Sequence, residues 1–250
     1  MKKFLLGTVG LVALSASAFA ADLPARTYTK APVMVSPIYD WSGFYIGANA
    51  GGASGHECLT INNVAGAAVV PNSEGCHNAT GAVVGGQVGY RWQASSWVFG
   101  LEAQGDWANL SGSNSSLTAV IPYTNQTKVD AIGLFTGQVG YTFNNVLLYV
   151  KGGAAVTDNN YSSSFTATGV QFNAASDTRW GGVVGTGIEI GFAPHWSVAV
   201  EYDHLFMGNP NIAFPATAIA VSRADNIRQD VDMGTVRLNY RFGGPVVAKY

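Results

Sequence analysis

A chain of 250 residues with a formal net charge of −2 and only 11% charged residues lies well below the roughly 25% charge usual in soluble domains. That balance offers no basic surface to a polyanion, so nucleic acid is not an expected partner. The 31 glycines, together with 12 Phe, 11 Tyr and 6 Trp, suit a single all-β domain, for which this length is ordinary.

In chain order, Met1-Lys2-Lys3 gives a positive start, Phe4 to Leu14 an apolar run, and Ala18-Phe19-Ala20 a small-x-small cleavage pattern. Together they read as an export signal over residues 1–20 that is removed. The run is shorter than the about 20 residues a spanning helix needs. Residues 21–40 carry Pro24, Pro32 and Pro37 without periodicity and read as a flexible periplasmic leader.

From Trp41 the pattern changes to a period of two. In Trp41 to Gly52 the residues Phe44, Ile46, Ala48 and Ala50 alternate with Tyr45, Gly47, Asn49 and Gly51, as a strand with two different faces requires. Further strands are expected at about 82–92, 97–107, 129–143, 146–156, 179–192, 196–206 and 229–242. Val129 to Phe143 and Val146 to Val156 are joined only by Asn144-Asn145, a pair that tolerates the positive φ of a two-residue hairpin. In the first of these strands Val129, Ala131, Gly133, Phe135, Gly137 and Val139 share one face, and Asp130, Thr136 and Gln138 the other.

Short connections at 93–96, 144–145 and 193–195 alternate with long polar ones at about 53–81, 108–128, 157–178 and 207–228. Eight strands with short turns at one end and long loops at the other predict an antiparallel up-and-down transmembrane β-barrel over 41–242, its short turns in the periplasm and its four long loops outside the cell. Gly243 to Tyr250 is a C-terminal tail. The motif GQVGY occurs at Gly86 to Tyr90 and again at Gly137 to Tyr141, each time just before a short turn. With Trp92, Trp97, Phe99, Phe143, Trp196, Tyr240 and Phe242 it predicts an aromatic girdle at the membrane boundary.

The opposite parity carries Arg91, Glu102, Gln104, Asp106, Asp130, Lys151, Arg179, Glu189, Glu201, Asp203, Arg237 and Arg241. Eight strands enclose a lumen that side chains just fill, so these charges are expected to pair. Two functions fit: a salt-bridged structural core, or a narrow polar path for small solutes. In an exported protein Cys58 and Cys76 read most simply as a disulfide closing the first long loop, with a site made by His56, Cys58, Cys76 and His77 as the sharper alternative.

The opening strand WSGFYIGANAGG after an Ala-Asp-Leu-Pro leader, with the closing LNYRF, resembles the outer-membrane β-barrel family of bacterial surface immunogens, also described as porin-family or opacity-type proteins. The resemblance spans Trp41 to Phe242 and implies a surface protein of a Gram-negative bacterium with variable exposed loops. It also implies porin-like or heme-binding roles as alternatives. Barrels of this kind often end on the last phenylalanine, whereas here Gly243 to Tyr250 follows, with Pro245 blocking strand continuation.

The expected partners are outer-membrane lipids, lipopolysaccharide and a host or environmental ligand at the loops; no cofactor or metal is expected. His204 stands near the outer rim, but its neighbours Glu201 and Asp203 occupy the opposite parity. No catalytic triad is expected from them.

Overall fold

The computed structural model of the protein describes residues 39–117 and 121–243. Its strands are β1 Gly43–Val64, β2 Ala67–Ala94, β3 Trp97–Ser115, β4 Tyr123–Phe143, β5 Val146–Phe165, β6 Gln171–Ala193, β7 Trp196–Phe206, β8 Asn211–Phe214 and β9 Arg223–Arg241. Each strand from β1 to β6 pairs antiparallel with the next, β7 pairs with β9, and β9 returns to β1 from Tyr45↔Arg241 to Val64↔Arg223. The sheet therefore closes. Short β8 pairs with the upper end of β9, beyond the point where β7 stops. It prolongs the path of β7, so the closed ring has eight members. The expected signal peptide, the leader as far as residue 38 and the tail from residue 244 lie outside the described residues.

The turns follow the residues that can make them. Asn144 takes φ 56°, and Ala65-Gly66 bends at φ 51° and 80°. The outward face is apolar over one stretch of each strand, bounded below by Phe44, Trp92, Trp97, Phe143, Trp196 and Phe242 and above by Trp107, Trp180 and Phe206, all exposed. From Trp97 to Trp107 is the length of a tilted spanning strand, about 9–11 residues. We take 44–54, 82–92, 97–107, 131–143, 146–156, 180–192, 196–206 and 232–242 as the membrane band.

Two expectations are corrected here. The four long connections are largely continued strand, because the backbone ladder persists after the outward face turns polar. Periodicity sought as apolar outward and polar inward loses its signal where lipid gives way to water. Asp130, expected in the lumen, is exposed, and Val129, placed with the lipid-facing parity, is fully buried. The cause is a bulge: Val129 pairs with Asn159 but Ala131 with Asp158. One extra residue flips the facing of everything beyond it.

The structure also reveals a repeat within the barrel. Trp97, Glu102, Thr136, Tyr141 and Phe143 are echoed at one constant spacing by Trp196, Glu201, Thr235, Tyr240 and Phe242. The first set lies on β3 and β4, and the second on β7 and β9 and at the residue just after β9, so the two groups face each other across the ring.

Candidate functional site

The interior is stacked in layers. At the periplasmic end Trp41 tucks inward ahead of β1 and is buried, its indole Nε1 donating to Thr142 Oγ1 at 2.8 Å. Next to it Arg91 pairs with Glu189 at 2.8 Å, and its guanidinium stands over the rings of Trp41, Tyr45 and Tyr149. Arg241 is spent on the backbone of the same end, donating to the carbonyls of Ser42 and Pro194 at 3.1 and 3.0 Å.

The next layer holds the main charge cluster. Arg237 donates to Glu102 and Glu201 with its two terminal nitrogens. Lys151 reaches Glu201 at 2.6 Å, Asp203 at 3.2 Å and Glu102 at 3.7 Å. The Tyr45 hydroxyl donates to Glu102 at 2.6 Å and the Tyr149 hydroxyl to Glu201 at 2.5 Å. Each tyrosine ring lies on a glycine of the neighbouring strand: a Cβ at Gly89 would stand 2.5 Å from Tyr45, and one at Gly187 2.5 Å from Tyr149. Two tyrosine–glycine–glutamate sets thus share Arg237, and of their members only the glutamates stand at the constant spacing of the repeat. Gln104 donates to Asp106 at 2.7 Å beside them.

Above the charges the lumen turns apolar. Ile132, Leu134, Val183, Leu205, Val231 and Met233 point inward and are buried together. This layer was not read from the sequence, although Ile132 and Leu134 stand on the same parity as Thr136 and Gln138.

The extracellular mouth lies above the membrane band. Arg179 donates to the carbonyl of Ile227 at 3.1 Å and to the Tyr161 hydroxyl at 3.0 Å, and pairs with Asp177 at 3.3 Å. Glu57 accepts from Gln229 Nε2 at 3.0 Å and lies 3.5 Å from His77 Nε2. Burial raises the Glu57 carboxyl to about 7, and also Asp225, to about 6 despite Arg223 at 3.1 Å. Burial lowers the His77 imidazole, so the Glu57–His77 contact favours two neutral partners.

The buried carboxyls of the folded mouth bind protons more tightly than those of an unfolded chain, which titrate near 4, whereas His77 binds its proton less tightly. The carboxyl contribution is complete below about 4 and is lost as pH rises through about 6 to 7, on the order of 3 kcal/mol for Glu57 at 1.36 kcal/mol per pKa unit. The temperature at which the detergent-refolded barrel loses its compact gel migration should therefore fall between pH 5 and pH 8. Glu57→Gln should flatten that slope; an unchanged slope would exclude Glu57 as its source.

Cys58 and Cys76 face each other in register on β1 and β2 and are bonded. His56 is exposed on the outside of the wall, with its Nε2 3.5 Å from Cys58 Sγ, whereas His77 is buried in the lumen. The two imidazoles cannot converge on one ligand, since adjacent positions of a paired strand face opposite sides. Replacing both cysteines by serine should cost at most about 3 kcal/mol, because the strand ladder already closes this hairpin. We expect faster proteolysis near residues 65–72 with barrel migration retained.

On the outer wall His204 pairs not with Asp203, which points into the lumen, but across strands with Asp232 at 2.7 Å. The Tyr202 hydroxyl donates to the same Asp232 oxygen at 2.5 Å. The third member is a phenol, not an activated serine.

A closed ring of eight strands with an apolar belt, aromatic girdles and a side-chain-filled interior defines an outer-membrane β-barrel. The chain belongs to the family described as the outer membrane protein beta-barrel domain, which matches residues 6–242, and its place is the outer membrane of a Gram-negative bacterium. It is similar to the 31 kDa outer-membrane immunogenic protein of Brucella melitensis, 27% identical over 251 residues and covering 97% of this chain and 100% of that one. The 25 kDa outer-membrane immunogenic protein of Brucella abortus is 24% identical over 244 residues, covering 97% and 99%. Among solved structures the outer membrane protein OprG of Pseudomonas aeruginosa shares the fold, with a TM-score of 0.51 and 12% identity over 82% of this chain and 100% of that one.

Proposed function

We propose that this protein is a closed-lumen surface scaffold: it carries its extended extracellular strands and turns to the environment and conducts no solute. The observation that carries this reading is the succession of three seals along the axis: the Trp41–Arg91 end, the Arg237-centred charges, and the apolar layer of Leu134, Leu205 and Met233. A path for hydrated solutes would have to break paired charges and then pass a layer filled by buried apolar side chains, each of which carries a large free-energy cost. A host or environmental ligand would meet the disulfide-tied hairpin tip and the upper ends of β3 to β6. The pairing of His204 with Asp232 and a phenol supports a non-enzymatic role.

Planar-bilayer recording of the purified barrel tests the proposal. Silence under an applied potential is the expected result. Stepwise conductance from the folded parent barrel would replace the scaffold by a narrow pore.

A further inference from the structure

A shallow trough of about 470 Å³ lies on the outer wall of β4, β5 and β6, above the membrane band. Gln126 and Lys128 of β4, Asn160 and Ser162 of β5, and Gln171 and Ser176 of β6 line it. All are outward-facing and at least partly exposed. Amides, hydroxyls and one ammonium therefore meet in a single concavity, and among the described residues Lys128 has no ion-pair partner within salt-bridge distance. Asp130, the bulged residue, accepts from Asn160 Nδ2 at 2.7 Å and so fixes that amide at the trough's lower edge.

The height of the trough decides what could fill it. Directly below on the same wall, Trp180 and Phe135 stack across β5 with centroids 6.2 Å apart and 18° between their planes. Trp180 belongs to the upper girdle. Ser176 stands four residues above it on β6, roughly 13 Å along the strand at about 3.3 Å per residue. A molecule with acyl chains beside the aromatic pair would place its headgroup against the polar side chains. Lys128 is accompanied by Asp130 and by Asp158, which stands opposite Ala131. A mixed array of donors and acceptors of both signs suits vicinal hydroxyls better than a bare phosphate, which the two carboxylates would repel.

We propose that this trough holds the saccharide headgroup of a glycolipid of the outer leaflet, with its acyl chains lying over Phe135 and Trp180. The proposal rests on the outer-membrane placement and is independent of whether the lumen conducts.

Native mass spectrometry of the detergent-refolded full chain, titrated with glycolipid extracted from a Gram-negative outer membrane, tests it. Variants Lys128→Glu and Ser176→Trp should each weaken binding at least tenfold, while Arg228→Glu, exposed on the β9 wall, should bind as the parent does. The deacylated saccharide should bind more weakly than the intact glycolipid, and a phospholipid should not displace it. Heat-dependent gel migration verifies that every variant is folded. Equal binding by the trough variants, an equal loss in Arg228→Glu, or equal competition by phospholipid would overturn the assignment. So would trough variants that alter self-association while leaving glycolipid binding intact, since the occupant would then be a second copy of the chain.

Discussion

Arg237→Met is expected to prevent recovery of a compact, heat-modifiable barrel. The substitution keeps much of the side-chain volume but leaves Glu102 and Glu201 facing each other with only Lys151 between them. Removing one partner of a buried ion pair costs about 3–5 kcal/mol because the remaining charge is left uncompensated, and here one guanidinium serves two carboxylates. The triple variant Arg237→Met, Glu102→Gln, Glu201→Gln should fold again, since neutral amides can keep hydrogen bonds to Tyr45 and Tyr149. If the single variant refolded with parental yield and migration, Arg237 would not be the centre of the interior.

The second large effect is expected at Gly187. A Cβ there would come within 2.5 Å of the Tyr149 ring, so Gly187→Val must expel the ring and break its hydrogen bond to Glu201. Overpacking costs about 1–3 kcal/mol, and a lost hydrogen bond to a charged group adds about 1.5–3 kcal/mol. Urea unfolding in lipid vesicles should show the combined loss, and Tyr149→Ala in the same chain should recover part of it by clearing the space. Gly89→Val should behave alike through Tyr45. Additive losses in the Gly187→Val, Tyr149→Ala pair would mean that ring and glycine do not interact.

Much of this architecture was legible in the sequence because a barrel strand faces two different solvents, and alternation records which side meets which. Phe135, Val139 and Tyr141 face outward as their parity requires, and Asn144-Asn145 turns where two strands must meet. Membership of the interior set was equally visible, with Glu102, Lys151, Glu201 and Arg237 all buried together. Which of them touch was not, because partners such as Glu102 and Arg237 come from opposite walls and nothing local encodes their distance. Asp130 was misplaced for a physical reason: the bulge after Val129 leaves no mark in composition. His204 has no partner among its chain neighbours, because its carboxylate, Asp232, sits on β9. The apolar interior layer is masked in the sequence because Ile132 and Leu134 share their parity with the polar Thr136 and Gln138. The echo of Trp97 and Glu102 in Trp196 and Glu201 stands in the sequence too, at a longer spacing than the two copies of GQVGY.

That echo bears on assembly. The two half-rings bring an equivalent acid each, but the guanidinium that neutralises both arrives on the final strand. A β9 displaced by two residues along its neighbours would present Thr235 or Asn239 to those acids in place of Arg237. The mispaired cylinder would then enclose unbalanced negative charge, a cost that sets the native registration of the seam apart from its two-residue slips.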